Sequence, residues 1–161
     1  MKNFQLINFT ELSLKDKELI LNWRNNDSIR KWMYNNNLIS KEEHFDFLKQ
    51  LSNCDDKLYF LVKEDDKNIG VIDFVNIKNQ TAEMGIYSSP FLKGYGEILL
   101  DLIIDYATKK LKLKKIKAEV FAINKRAVNL YERKGFIKIG SKVFRDNEMI
   151  IMELNFENRK I

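Results

Sequence analysis

One cysteine, one histidine and one proline in 161 residues leave several kinds of chemistry without material. With Cys54 alone, neither an internal disulfide nor a CxxC metal or redox pair can form. With His44 alone, no metal site can be built from paired histidines, and no metal is expected. No apolar run approaches the roughly 20 residues of a membrane span. Residues 1–4, Met-Lys-Asn-Phe, lack the apolar core of a signal peptide. A cytoplasmic protein with no membrane partner is expected. No stretch is rich in Pro, Gly or Ser, and neither internal repeats nor low-complexity tracts occur. A single domain over residues 1–161 is therefore expected.

What is present is a globular composition, with 45% hydrophobic residues and a mild net charge of +5. Much of the positive charge sits in Lys109, Lys110, Lys112, Lys114 and Lys115. Such a run raises the alternative of a basic nucleic-acid-binding domain. No aromatics interleave with these lysines and no motif supports that alternative, so no nucleic-acid partner is expected. Lysines closing a helix, where they suit its dipole, account for the run.

Hydropathy patterning predicts strands at 2–9, 57–64, 69–77, 81–88, 115–121, 136–144 and 148–155. Helices are predicted after Ser13, with Leu14, Leu19, Ile20 and Trp23 as the apolar stripe, and in a short segment with Ile29, Trp32 and Met33. Another follows the capping box Ser40-Lys41-Glu42-Glu43, burying Phe45, Leu48 and Leu51 with His44 beside them. The clearest helical periodicity lies at 96–110. A last helix, capped by Asn124 and stopped by Gly135, carries Ala127, Leu130 and Tyr131. Turns are placed at Asp65–Asn68, Lys78–Gln80 and Arg145–Asn147. The economical fold class is α/β in the α+β sense, with one mixed, mostly antiparallel sheet of about seven strands flanked by helices.

Pro90-Phe91-Leu92-Lys93-Gly94-Tyr95-Gly96-Glu97 joins the third meander strand to the clearest helix. A dinucleotide fingerprint would need a third glycine where Leu99 stands, and no Gly-Lys-Ser/Thr of a P-loop occurs. Glycines at a helix start still let backbone amides approach an anion, and Lys93 adds charge. Downstream, residues 124–136 read N-x-x-A-x-x-L-Y-E-x-x-G-F. These two motifs in this order resemble the GCN5-related N-acetyltransferase (GNAT) superfamily, over roughly residues 2–155.

That resemblance implies acetyl-CoA wedged between strands 81–88 and 115–121. It implies a diphosphate held by the amides of Lys93, Gly94, Tyr95, Gly96 and Glu97. A pantetheine arm would lie along residues 84–88, Ile86 and Ser88 included, and Asn124 would contact the cofactor from the next helix start. Tyr131 would be the acid that protonates the departing thiolate, and an amide within 84–88 the oxyanion donor. The family's loop usually begins with Gln or Arg, where this chain has Phe91. One side-chain contact to phosphate is thereby lost, and Lys93 is the residue placed to compensate.

A base or water relay must free the acceptor amine of its proton. Glu119, a charge in mid-strand, and Asp73, which interrupts the apolar run Ile69–Val75, are the candidates. Paired surface carboxylates would explain either one without catalysis. The stretches LNWRNNDSIRKWMY, ISKEEHFDFL and MGIYSSPFLKGYGE bring a narrower resemblance, to the nucleotide-sugar N-acetyltransferases of pseudaminic acid biosynthesis for flagellin glycosylation. It implies acetylation of the 4-amino group of UDP-4-amino-4,6-dideoxy-N-acetyl-β-L-altrosamine, with Arg24, His44 and Tyr87 facing the UDP or sugar. A protein N-terminal or lysine acetyltransferase of the ribosomal-protein type is the alternative enzyme, against which Arg24, Arg30 and Lys31 favour an anionic acceptor. Oligomeric state is open, a homodimer included.

Overall fold

The computed structural model describes residues 3–158. Residue 2, assigned to the first strand by pattern, lies outside the described residues. The strands are β1 (Phe4–Asn8), β2 (Leu58–Glu64), β3 (Lys67–Lys78), β4 (Thr81–Ser88), β5 (Lys115–Phe121), β6 (Ile137–Phe144) and β7 (Asn147–Asn155). They form one sheet in the order β1-β2-β3-β4-β5-β7-β6. Neighbours pair antiparallel except β4 and β5, which run parallel. The helices are α1 (Leu14–Arg24), α2 (Asp27–Arg30), α3 (Lys41–Leu51), α4 (Gly96–Lys109) and α5 (Lys125–Arg133).

Side-chain alternation along the strands separates two cores. Phe60, Val62, Ile72, Phe74, Met84, Ile116 and Ala118 point to one face, where Leu99, Leu100 and Ile103 of α4 and Leu130 and Tyr131 of α5 cover them. Leu61 and Val71 point to the other, under Ile20 and Trp23 of α1, Ile29 of α2 and Leu48 and Leu51 of α3. A one-residue slip of register would exchange these sets, so burial on both faces fixes it.

The helix starts follow from their caps. Ser13 Oγ accepts from the Asp16 amide, Ser40 and Glu43 make a reciprocal capping box, and Asn124 Oδ1 accepts from the Ala127 amide. Gly135 takes φ +99°, the left-handed conformation that ends α5. Several boundaries differ from the patterning. The hairpin turns shrink to two residues, because Asn79–Gln80 and Arg145–Asp146 each take positive φ and match the strand twist. Lys67, Asn68, Lys78 and Asn147 thus join strands. Leu14 is not on the buried stripe: it is 63% exposed at the first position of α1, one turn short of the core. On α3, His44 is buried and Phe45 only half so.

Candidate active site

The parallel pairing of β4 with β5 covers Thr81–Glu83 opposite Lys115–Lys117 and then stops. Beyond it, β4 stays laddered to β3 as far as Ser88, while β5 stays laddered to β7 as far as Phe121. The two strands therefore splay, and the β5-facing backbone of Met84–Ser88 has no strand beside it. A cleft of about 920 Å³ opens at the splay and is lined from both faces of the sheet. It gathers Arg24, His44, Asp73, Ile86, Tyr87, Ser88, Lys93, Gly96, Glu119, Asn124 and Tyr131, residues spread over more than 100 positions. Gly94, Tyr95 and Glu97 lie beside it at the start of α4.

On the α1–α3 face, sheet register sets a row. Tyr59 pairs with Asp73, and Asp73 with Gly85. The Asp73 carboxylate lies over the glycine: a Cβ on residue 85 would sit 2.3 Å from Oδ2 and 2.7 Å from Oδ1. The missing side chain thus gives the carboxylate its place next to the splay. Burial pushes the Asp73 carboxyl up to about 7, against the opposing pull of the Arg24 guanidinium. The same cation acts on His44, Tyr59 and Tyr87, so it sits among all four. Burial raises the Tyr59 and Tyr87 hydroxyls, which stay protonated. Arg24 Nη1 is buried and has no hydrogen-bond partner among the described residues. An orphaned guanidinium donor is expensive unless a ligand meets it.

His44 Nε2 lies 2.7 Å from the Lys17 carbonyl oxygen. A carbonyl only accepts, so Nε2 carries the hydrogen and Nδ1 is left as an acceptor. Burial holds the His44 pKa below its ordinary value; the Lys17 bond opposes this and the Arg24 charge adds to it. Glu119, the other candidate base, reaches the cleft but is ion-paired at 3.0 Å to Lys142. Glu83 is likewise paired, at 3.4 Å to Lys117.

At the other end of the cleft, α4 begins after Tyr95, whose side chain does not cap it, so its first amides stay open. Gly94 takes φ +83°, and the space where its Cβ would stand is empty for 4 Å. A backbone amide can be approached there without obstruction. Lys93 is exposed and lines the cleft; Phe91 is 78% exposed. The Glu97 side chain turns away, to Arg133 at 3.3 Å and Lys134 at 3.5 Å, so only its backbone is available to an anion. Tyr131 is buried on α5 and borders the cleft, its hydroxyl pushed up to about 12 by burial and by the Asp73 charge.

Residues 7–137 match the family model described as an acetyltransferase (GNAT) domain. The chain belongs to the GNAT acetyltransferases. Among GNAT proteins it is 47% identical, over 82% of its length and 83% of the relative's, to acetyltransferase PseH of Campylobacter jejuni. The crystal structure of C. jejuni N-acetyltransferase PseH in complex with acetyl coenzyme A superposes with a TM-score of 0.79 at 40% identity, covering 96% of this chain and 99% of that one. The Vibrio cholerae spermidine N-acetyltransferase in complex with CoA and spermine gives a TM-score of 0.86 at 26% identity, with 96% of each chain covered.

Sequence reasoning missed three parts of this GNAT cleft. Tyr59 adjoins Asp73 only through register, which spacing along the chain does not reveal. Lys142 meets Glu119 because β6 and β5 flank β7. Gly85 left a signal, an isolated glycine inside a strand pattern, which marks close approach by another group.

Proposed function

We propose that the chain transfers the acetyl group of acetyl-CoA to the 4-amino group of UDP-4-amino-4,6-dideoxy-N-acetyl-β-L-altrosamine, as a cytoplasmic enzyme of pseudaminic acid biosynthesis. The observation that carries the acceptor assignment is Arg24, a half-buried residue whose Nη1 is buried with no hydrogen-bond partner among the described residues, while the cleft carboxylates Glu83 and Glu119 each have a lysine. Arg24 makes no ion pair among the described residues and shares the cleft with a carboxyl that burial keeps protonated up to about 7, so it calls for an anionic acceptor, and a nucleotide diphosphate supplies two phosphates. His44 Nδ1 and the protonated Tyr87 hydroxyl offer an acceptor and a donor to the sugar or nucleotide beside it.

The residues present fit acetyl-CoA. The uncapped start of α4, from Lys93 to Glu97, suits a diphosphate, Lys93 adds charge, and the free edge at Ile86 and Ser88 suits an amide-bearing arm. When bound, acetyl-CoA supplies an activated acetyl group on a thiol leaving group. Asp73, titrating near neutrality, accepts the proton that the amine loses on attack. Backbone N–H groups within 84–88 face the negative charge that develops on the acyl oxygen. Tyr131 donates its hydroxyl proton to the sulfur. The two groups are coupled: the Asp73 charge holds the Tyr131 hydroxyl up, so a proton on Asp73 makes Tyr131 the stronger acid when the thiolate leaves. Glu119, tied to Lys142, serves as a second carboxylate that can order a water.

A polyamine acceptor is the second reading, favoured by the likeness to the spermidine enzyme and by Asp73, Glu83 and Glu119 on one face. The lysine partners of Glu83 and Glu119 weigh against it. A peptide acceptor is the third. As for nucleic acid, Lys109, Lys114, Lys115 and Lys117 are ion-paired to Asp105, Glu157, Glu153 and Glu83, which lowers the free positive charge such binding needs. Residues 1–161 are proposed as a single domain. A homodimer is proposed on edge strand β6, where Ile137 and Val143 are 63% and 75% exposed. No helix among the described residues is long and apolar enough to cross a membrane. Mass spectrometry of the enzyme incubated with acetyl-CoA and the UDP-4-amino sugar tests the function: an acetylated nucleotide sugar supports it, and an unmodified one after full incubation refutes it.

A further inference from the structure

Among the described residues five α-helices begin, and four of them have a side-chain cap: Ser13, Asn26, Ser40 and Asn124. At α4 the capping position is held by Tyr95, whose side chain is too long and too rigid to fold back on the helix amides. It reaches instead to the turn end of the β2–β3 hairpin, 31 residues away in sequence. There its hydroxyl donates to Oε1 of Glu64 at 3.1 Å. Glu64 closes β2 and is only 6% exposed, so this is a charge-assisted bond in a largely dry place. Lys67, at the start of β3, stands 3.7 Å from the same oxygen and 5.2 Å from the tyrosine ring centroid. The neighbouring residue Gly94 is exposed and in the left-handed region, so nothing on its own side chain fixes it.

Given the acetyl-CoA assignment, on which this rests, we propose that Tyr95 is a positioning residue for the diphosphate: its bond to Glu64 pins the Lys93–Gly96 loop to β2 and keeps the amides at the start of α4 aimed, uncapped, at the phosphates. Tyr95 touches the cofactor through its backbone only. Its side chain works from behind the loop, so its loss loosens the amides without removing any of them. The effect must then fall on ligands that carry the diphosphate and spare those that lack it.

Tyr95→Phe keeps the ring and removes the hydroxyl. Acetyl-CoA and S-acetylpantetheine, the same thioester without the diphosphate, are the two probes, each as acetyl donor to the full enzyme. The Phe variant is expected to raise Kd and KM for acetyl-CoA about ten- to a hundredfold, the scale of one hydrogen bond to a charged group. KM for the acceptor and kcat/KM with S-acetylpantetheine are expected to match the wild type. Equal acetyl-CoA affinity in both proteins overturns the inference. So does an equal loss with both donors, which would mean that the hydroxyl supports the fold and not the diphosphate. Wild-type protein that fails to bind acetyl-CoA in calorimetry overturns the cofactor assignment itself, a result distinct from either.

Discussion

Replacing Asp73 by Asn is expected to move activity and stability in opposite directions. In the folded chain the Asp73 carboxyl keeps its proton up to about 7, whereas unfolded chain releases it near 3.8. Between those values the native state binds more protons, so this residue's contribution is harmless below the unfolded value, becomes a growing penalty as pH rises to about 7, and is constant above it. The difference, at 1.36 kcal/mol per pH step, is at most about 4 kcal/mol, an upper figure because the carboxylate borders an open cleft. Asn fits the same space over Gly85 and carries no charge. Above pH 7 the variant should therefore melt several degrees higher than the parent, at roughly 2–4 °C for each kcal/mol in a chain of this size. Below pH 4 the two should melt alike. With Asp73 as the proposed base, kcat should fall about 10²–10⁴-fold. In the parent, kcat/KM for the acceptor should rise with pH to about 7 and then level; in the variant that limb should vanish. Differential scanning fluorimetry across pH and a thiol-release assay read both quantities. A variant that keeps the limb, or that is no more stable at pH 8, would refute Asp73 as a buried base.

The other predictions use the same cleft. Gly85→Ala puts a methyl carbon onto the Asp73 carboxylate; kcat should fall at least tenfold, with acetyl-CoA affinity kept when measured by calorimetry. Tyr131→Phe should lower kcat about 10²-fold and leave Kd for acetyl-CoA unchanged, which stopped-flow thiol detection checks. Arg24→Ala should raise the acceptor KM about 10- to 100-fold, the scale of a charged contact to phosphate, and flatten the salt dependence of kcat/KM; an unchanged acceptor KM would remove Arg24 from the acceptor site.

Elements were legible in the sequence wherever a local cause sets them. The Ser40–Glu43 box, the Asn124 cap and the alternation of Ile116, Ala118 and Val120 each act within a few residues, and all three stand in the structure. Leu14 was misplaced because an apolar residue at the first helical position has no turn before it to share a stripe with. The start of α4 after Gly94 was legible, but not the reach of Tyr95 to Glu64, which depends on where a hairpin 31 residues upstream comes to rest. Along the chain nothing put Asp73 ahead of Glu119. Only the sheet order separates them, by giving Glu119 a lysine from β6 and Asp73 the bare backbone of Gly85. Arg24, His44 and Tyr87 came from a resemblance, and the fold brings them to one cleft through two helices and a strand with no sequence contiguity.

The acceptor assignment meets its most direct test in kcat/KM for acetyl transfer measured side by side with UDP-4-amino-4,6-dideoxy-N-acetyl-β-L-altrosamine, spermidine and a basic peptide. An anionic acceptor fitted to Arg24 predicts turnover of the UDP-amino sugar at least 10²-fold above the other two. Turnover of spermidine or the peptide alone would contradict it.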